Sequence, residues 1–269
     1  MKYLQQFGLT CDPLGKAIKD SVDNKQYQRL KQRFDWLLES KGVGMITGES
    51  GVGKTTALRK LVESVNPHQY KPIYQVENHF RAFDIYSQFA NQLGLEKQHR
   101  YSSLWRTIKN QLLHLHEDKK VTTIWLLDEA DHLPLNFLTE LPSFLNVNFD
   151  TKEVLIILLI GTPKLRSILQ RASCASLSSR LQFHFQWEAM NDCVEYTQFI
   201  TEAYSKAGRS DQIISDSGMK LLHMASKGKL RHTHRILTHA MQQAASQGMN
   251  HLTDEIIKEV IENLHAMIL

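Results

Sequence analysis

Eight consecutive residues, Gly48-Glu49-Ser50-Gly51-Val52-Gly53-Lys54-Thr55, have the types and spacing to hold a nucleoside triphosphate. Gly48, Gly51 and Gly53 have no Cβ, so their backbone can wrap closely round phosphate oxygens. Lys54 brings a point charge to the β- and γ-phosphates, and the Thr55 hydroxyl is a ligand for Mg²⁺. A helix predicted to begin here points its amino terminus at the same charge, with Thr56 in its first turn. Further along, four apolar residues, Ile124-Trp125-Leu126-Leu127, are followed by Asp128-Glu129-Ala130-Asp131. Asp128 would hold Mg²⁺ through its water shell, and Glu129 would polarise the attacking water as general base. Asp131 reads as a carboxylate at the surface or behind the first two. The two runs match the Walker A and Walker B patterns, and the chemistry they imply is hydrolysis of Mg-ATP. The bland alternatives are a glycine-rich turn that matches by chance and an acidic turn after an ordinary strand.

Three further residues could assist. Thr162, after the apolar run Val154–Ile160, could orient the water; it could equally be a plain cap before Pro163. Arg180 follows the next helical stretch and could reach a neighbouring subunit's γ-phosphate as an arginine finger, with Arg171 as runner-up. Gly228-Lys229-Leu230-Arg231 sets Arg231 at a helix start, where it could fold onto the phosphates; Lys229 and Arg235 compete for that role. A solvated arginine is the alternative in each case.

Hydrophobic periodicity predicts the elements that must position these groups. Helices are expected at Asn24–Lys41, Thr55–Val65, Ala82–Leu93, Tyr101–Asp118 and Leu135–Val147, with another starting over Pro163–Ala172. Strands are expected at Val43–Thr47, Pro72–Val76, Val121–Asp128, Val154–Thr162 and Gln182–Gln186. Alternating strands and helices imply a five-stranded parallel sheet with helices on both faces, a three-layer α/β domain. Beyond Asp192 the strands stop, and Cys193–Gly208, Ser215–Lys227, Leu230–Gly248 and Thr253–Met267 read as amphipathic helices. The expected organisation is therefore residues 1–190, a polar turn-rich start plus the α/β core, and 191–269, a small helical lid hinged near Trp187–Asn191.

The bulk composition is compatible with this. A net charge of +4 permits an anionic partner without demanding one. Cys11, Cys174 and Cys193 have no zinc-site or redox spacing, and the histidine pairs His114/His116 and His232/His234 point to different helix faces. The longest apolar run is too short to span a bilayer and the start has no secretory signal, so a cytoplasmic protein is expected.

Phe7-Gly8-Leu9, Gly48–Thr55, Leu126–Asp131, Leu159–Thr162 and Gly228–Arg231 together resemble the AAA+ ATPases of DNA transposition. These are the TnsC and TniB class of target-selection regulators; the general-secretion-pathway protein A ATPases share the same core. The resemblance implies a homo-oligomer, ring or helical filament, formed on duplex DNA with ATP. It would recruit a transposase and a target-selection protein and disassemble on hydrolysis. It also implies that residues near Leu9 to Pro13 border the adenine. The counterpart of the family's DNA-facing insertion would include His79, Arg81, Lys97, Arg100, Arg106 and Lys109, basic residues that track phosphates without reading sequence. A solvated helical face is the alternative for each. Two rival functions remain. One is a secretion-pathway ATPase, although those usually continue into a membrane segment and a cell-wall-binding part not expected here. The other is a slow nucleotide-gated scaffold of the STAND group.

Overall fold

A computed structural model of the chain describes residues 2–15, 24–76, 81–146 and 153–266. Its elements are, in order, α1 (Lys2–Gln6), α2 (Lys25–Ser40), β1 (Gly42–Thr47), α3 (Lys54–Ser64), β2 (Tyr70–Val76), α4 (Ala82–Leu93), α5 (Tyr101–Glu117) and β3 (Thr122–Asp128). There follow α6 (Leu135–Leu145), β4 (Leu155–Gly161), α7 (Pro163–Leu169), α8 (Ala175–Ser178), β5 (Leu181–Gln186), α9 (Cys193–Lys206), α10 (Asp216–Ser226), α11 (Leu230–Ser246) and α12 (Asp254–Ala266). Every element expected from periodicity is present, and the bounds differ mostly by a residue or two. The expected ends at Val147 and Met267 lie outside the described residues. Contacts divide the described chain into a sheet unit, 26–48 with 57–187, and a helical unit, 1–25 with 49–56 and 188–269.

In the sheet unit the strands are all parallel, in the order β2-β3-β4-β1-β5. β3 and β4 are buried at every residue, which is why they are continuous apolar runs rather than alternating ones. β2 and β5 are the edges and are partly exposed. Because all five strands run the same way, the carboxyl ends of β1, β3 and β4 share one edge of the sheet. On one face Trp125 stacks on Phe89 of α4 with ring centroids 4.0 Å apart. The Trp125 Nε1–H donates to Gln75 Oε1 at 2.9 Å, and Gln75 Nε2 donates to Ile85 O at 3.1 Å. This buried amide, satisfied on both sides, ties β2 to β3 and α4.

The helical unit packs α9 to α12 around Tyr196, Leu222, Leu237, Ala240 and Ile257. Asp192 caps α9 by accepting from Val194 N and Glu195 N. The chain start differs from its expected place with the α/β core. Tyr3, Phe7 and Leu9 are buried in the helical core, and a short α1 precedes the turn-rich stretch that begins at Phe7. Apolar anchors at that spacing dominate the polar residues between them. The segment is tied down by Thr10 N donating to Ala207 O at 2.8 Å and by Arg209 Nη1 donating to Phe7 O at 2.9 Å.

His234 on α11 meets the Asp12 carboxylate at 2.7 Å. The hydrogen bond to Asp12 raises the His234 pKa against the opposing effect of burial. Burial tends to raise the Asp12 carboxyl, but the His234 contact outweighs it and holds Asp12 low. A raised histidine pKa stabilises the fold below its unfolded value, about 6.5, and that contribution is lost as pH rises through the folded value. Asp12→Asn should therefore lower Tm at pH 6 and cost less at pH 8.5. Thermal melts at the two pH values check this; an equal cost at both would rule out a charged pair.

No helix among the described residues is long and apolar enough to cross a membrane.

Candidate active site

The carboxyl edge of the sheet collects the acids. β3 delivers Asp128 as its last residue, nearly buried at 7% exposure. Asp128 Oδ1 accepts from Glu129 N at 2.9 Å, and Asp128 Oδ2 accepts from the Tyr74 hydroxyl at 2.8 Å. Glu129 then takes a left-handed backbone, φ 55° and ψ 35°, which costs a non-glycine residue about 1 kcal/mol. The turn swings the chain into a 3₁₀ segment, Ala130–His132, and leaves the Glu129 side chain 52% exposed at the sheet edge. A carboxylate presented this way is open to water, whereas its neighbour is held at both oxygens.

Asp131 lies inside, not at the surface: its side chain is 2% exposed. Its Oδ1 accepts from Thr162 N at 3.0 Å and its Oδ2 from the Thr162 hydroxyl at 2.8 Å. Burial would raise the Asp131 carboxyl, but these bonds outweigh it and hold it below the usual range. Gly161 permits the approach, since a Cβ there would sit 2.5 Å from Asp131 Oδ1. Thr162 does not cap α7 with its side chain. Its hydroxyl is instead oriented by Asp131, with lone pairs still able to accept from a water. Gly48, the first residue of the glycine-rich run, lies at the same edge, its N–H donating to Gly161 O at 3.2 Å.

The rest of that run, Glu49 to Thr56, is held in the helical unit. Gly51 and Gly53 have φ of 83° and 106°, a backbone that side chains rarely adopt. Lys54 Nζ donates to Glu49 O at 2.9 Å, curling the loop on itself. Thr55 and Thr56 are exposed in the first turn of α3. Arg231, at the start of α11, donates its N–H to Gly51 O at 3.0 Å and its Nη1 to Ser50 Oγ at 2.8 Å. Its rival Lys229 forms an ion pair with Glu49. That hydrogen bond and charge hold the Glu49 carboxyl low. Arg235 is exposed. A closed glycine turn lined by Lys54, Arg231 and backbone N–H groups fits a polyphosphate. The buried Asp128 of the sheet unit and, separately, the Thr55 hydroxyl of the helical unit are hard oxygen donors of the kind Mg²⁺ prefers.

Arg180 lies at the other end of the sheet. It precedes Leu181, which pairs with Val43 at the start of β1. Val43 and Gly48 are separated by about 17 Å at the rise of a parallel strand. Arg180 and Glu153 line a cavity of about 190 Å³ there, with Gly42, Leu155 and Gln182. Arg171 is exposed at the head of the 3₁₀ segment Ala172–Cys174.

Among the basic residues expected to face DNA, Arg81 and Arg100 precede the first turns of α4 and α5. Those turns meet, with Tyr101 6.0 Å from both Phe83 and Tyr86 by ring centroid. Arg81, Lys97, Arg100 and Arg106 are all exposed. Lys109 Nζ donates to Ser143 O at 3.1 Å and Asn146 O at 2.8 Å at the end of α6, and burial lowers its pKa. Helix ends leave carbonyl acceptors for side chains of this kind. His79 lies outside the described residues. Sequence reasoning missed Tyr74, whose only signal was a hydroxyl near the carboxyl end of a strand, and the Glu49–Lys229 pair.

Residues 37–169 match the model of a protein family described as the AAA domain. The chain is 27% identical over 259 residues to general secretion pathway protein A of Aeromonas hydrophila, covering 91% of this chain and 45% of that protein. The chain thus spans less than half the length of that relative. The fold is that of P-loop AAA+ ATPases. The Aeropyrum pernix ORC2 protein, solved as ADPNP-ADP complexes, superposes with a TM-score of 0.73 at 18% identity, over 95% of this chain and 72% of that one. The Aeropyrum pernix ORC1 protein in complex with DNA gives 0.68 at 16%, over 94% and 68%. At these identities the likeness to the solved structures is one of fold. The matched residues span β1, the glycine loop, the acids of β3 and the Thr162 turn.

Proposed function

We propose that this chain hydrolyses Mg-ATP, assembles through contacts between copies, and acts on duplex DNA as a regulator of transposition. The observation that carries the catalytic part is the carboxyl edge. There Asp128 is held at both oxygens, Glu129 is turned outward, and Thr162 is oriented by Asp131. Lys54 and the loop N–H groups bind the phosphates, Thr55 and Asp128 hold the metal, and Arg231 senses the nucleotide from α11. When bound, Mg²⁺ would neutralise charge building on the phosphates. Glu129 takes the proton of the water that Thr162 orients. Arg180 completes the site of a neighbouring copy, a role consistent with its place one strand length from its own carboxyl edge.

The DNA part is supported by Arg81, Lys97, Arg100 and Arg106, all exposed, with Arg81 and Arg100 brought to one end by paired helix starts. One structural neighbour is a DNA complex. The transposition part, with a transposase and a target-selection protein as partners, rests on the resemblance of the motifs and their layout. Arg100→Ala should weaken duplex binding to a similar degree for unrelated sequences and reduce the salt slope by about one. Fluorescence anisotropy at several salt concentrations measures both. A loss confined to one sequence would point away from phosphate tracking.

A second reading, a secretion-pathway ATPase, is favoured by the 27% identity over 91% of the chain to a protein of that pathway. ATP turnover with and without duplex DNA at low salt separates the two. Stimulation and ordered assemblies in electron micrographs support the first; no response to DNA abandons it.

A further inference from the structure

Tyr74 has no packing reason to be where it is. It sits on the edge strand β2 and is 42% exposed, as is its neighbour Val76 at 46%. The parallel register pairs Val76 with Asp128 and Tyr74 with Leu126. Side chains two apart on a strand share a face, so Tyr74 and Asp128 are diagonal neighbours on the same side of the sheet. A diagonal of about 7 Å is a gap that a tyrosine spans and a serine or threonine does not. The hydroxyl donates to Asp128 Oδ2 at 2.8 Å, while Oδ1 is taken by Glu129 N. The carboxylate is thereby clamped from both sides, once by its own turn and once by the next strand.

Burial, the hydrogen bond and the charges of Asp128 and Glu129 push the Tyr74 hydroxyl well above the usual tyrosine range, and Arg59 only partly opposes them. A phenol oxygen that donates one hydrogen bond still has lone pairs with which to accept another.

We propose that Tyr74 is a positioning residue for metal binding: it fixes the orientation of Asp128 and offers its oxygen to a water of the metal's shell. This rests on the reading that Asp128 serves Mg-nucleotide. Partners that orient a metal-binding side chain commonly set metal affinity by about 10-fold or more.

The test is Tyr74→Phe, which removes one oxygen and keeps the ring, with Tyr70→Phe on the same strand as control. Binding of a fluorescent ADP is measured in EDTA and across a Mg²⁺ titration, alongside thermal melts. In EDTA, Tyr74→Phe should bind nucleotide within about two-fold of wild type, and its Tm should be unchanged. The Mg²⁺ concentration for half-maximal tightening should rise about 10-fold. Mn²⁺, which binds such sites more strongly than Mg²⁺, should narrow the gap. Tyr70→Phe should match wild type throughout. A Mg²⁺ curve for Tyr74→Phe that overlays wild type overturns the proposal. If binding to wild type itself ignores Mg²⁺, the reading of Asp128 fails first and the proposal goes with it.

Discussion

Glu129→Gln should lower ATP turnover by at least about 100-fold and leave nucleotide affinity within a few-fold of wild type, the range expected when a general base is removed. Glutamine keeps the size of the side chain and its place in the left-handed turn, so the backbone of residues 128–132 need not move. The metal-side contacts are untouched, because Asp128 is held by Tyr74 and by the backbone of residue 129, which survives the substitution. What is lost is the ability to take a proton. The trapped protein should accumulate as a nucleotide-bound assembly. Turnover and fluorescent-nucleotide binding, measured on the same preparation, decide the matter. If the variant hydrolyses ATP normally, the base has been assigned to the wrong carboxylate.

Arg180→Ala should leave nucleotide binding to the isolated chain intact and cut turnover about 100-fold or more in the assembled protein, as removal of a trans arginine does elsewhere. The decisive form of the experiment is a mixture. Arg180→Ala subunits keep a complete acidic edge but offer no arginine, whereas Glu129→Gln subunits offer the arginine but lack the base. Each alone should be nearly inactive, and mixing them should restore turnover, because an intact edge then meets an intact arginine. No recovery on mixing, with both variants still assembling, would falsify the trans assignment. Unchanged turnover in Arg180→Ala alone would pass the role to Arg171.

What the sequence disclosed and what it hid follow a physical division. The glycine loop and the acidic strand end were legible because each is a contiguous run whose chemistry needs those types at that spacing. The helices and strands were legible because burial of one face imposes a period. Tyr74 was hidden because its meaning depends on how β2 is registered against β3, and no local pattern encodes that register. Whether Asp131 stands at the surface or behind the first two acids was not legible, because its compensation, the backbone and hydroxyl of Thr162, lies on another strand's end. The contacts of Lys109 were hidden because the carbonyls they reach lie at the end of a helix formed more than thirty residues later. The start of the chain looked like a loose polar lead because its three anchors, Tyr3, Phe7 and Leu9, are only recognisable as such once a helical core exists to receive them.

The sheet's polarity also has a kinetic consequence. The acids stand at one end of the strands and Arg180 at the other, so on the proposed roles a lone copy would own both halves of the chemistry and be unable to bring them together. Specific activity should then climb steeply with protein concentration and level off once neighbours are always present. Dilution would switch the enzyme off while every subunit stayed folded, and any surface that gathers copies locally would switch it on without touching the reacting groups.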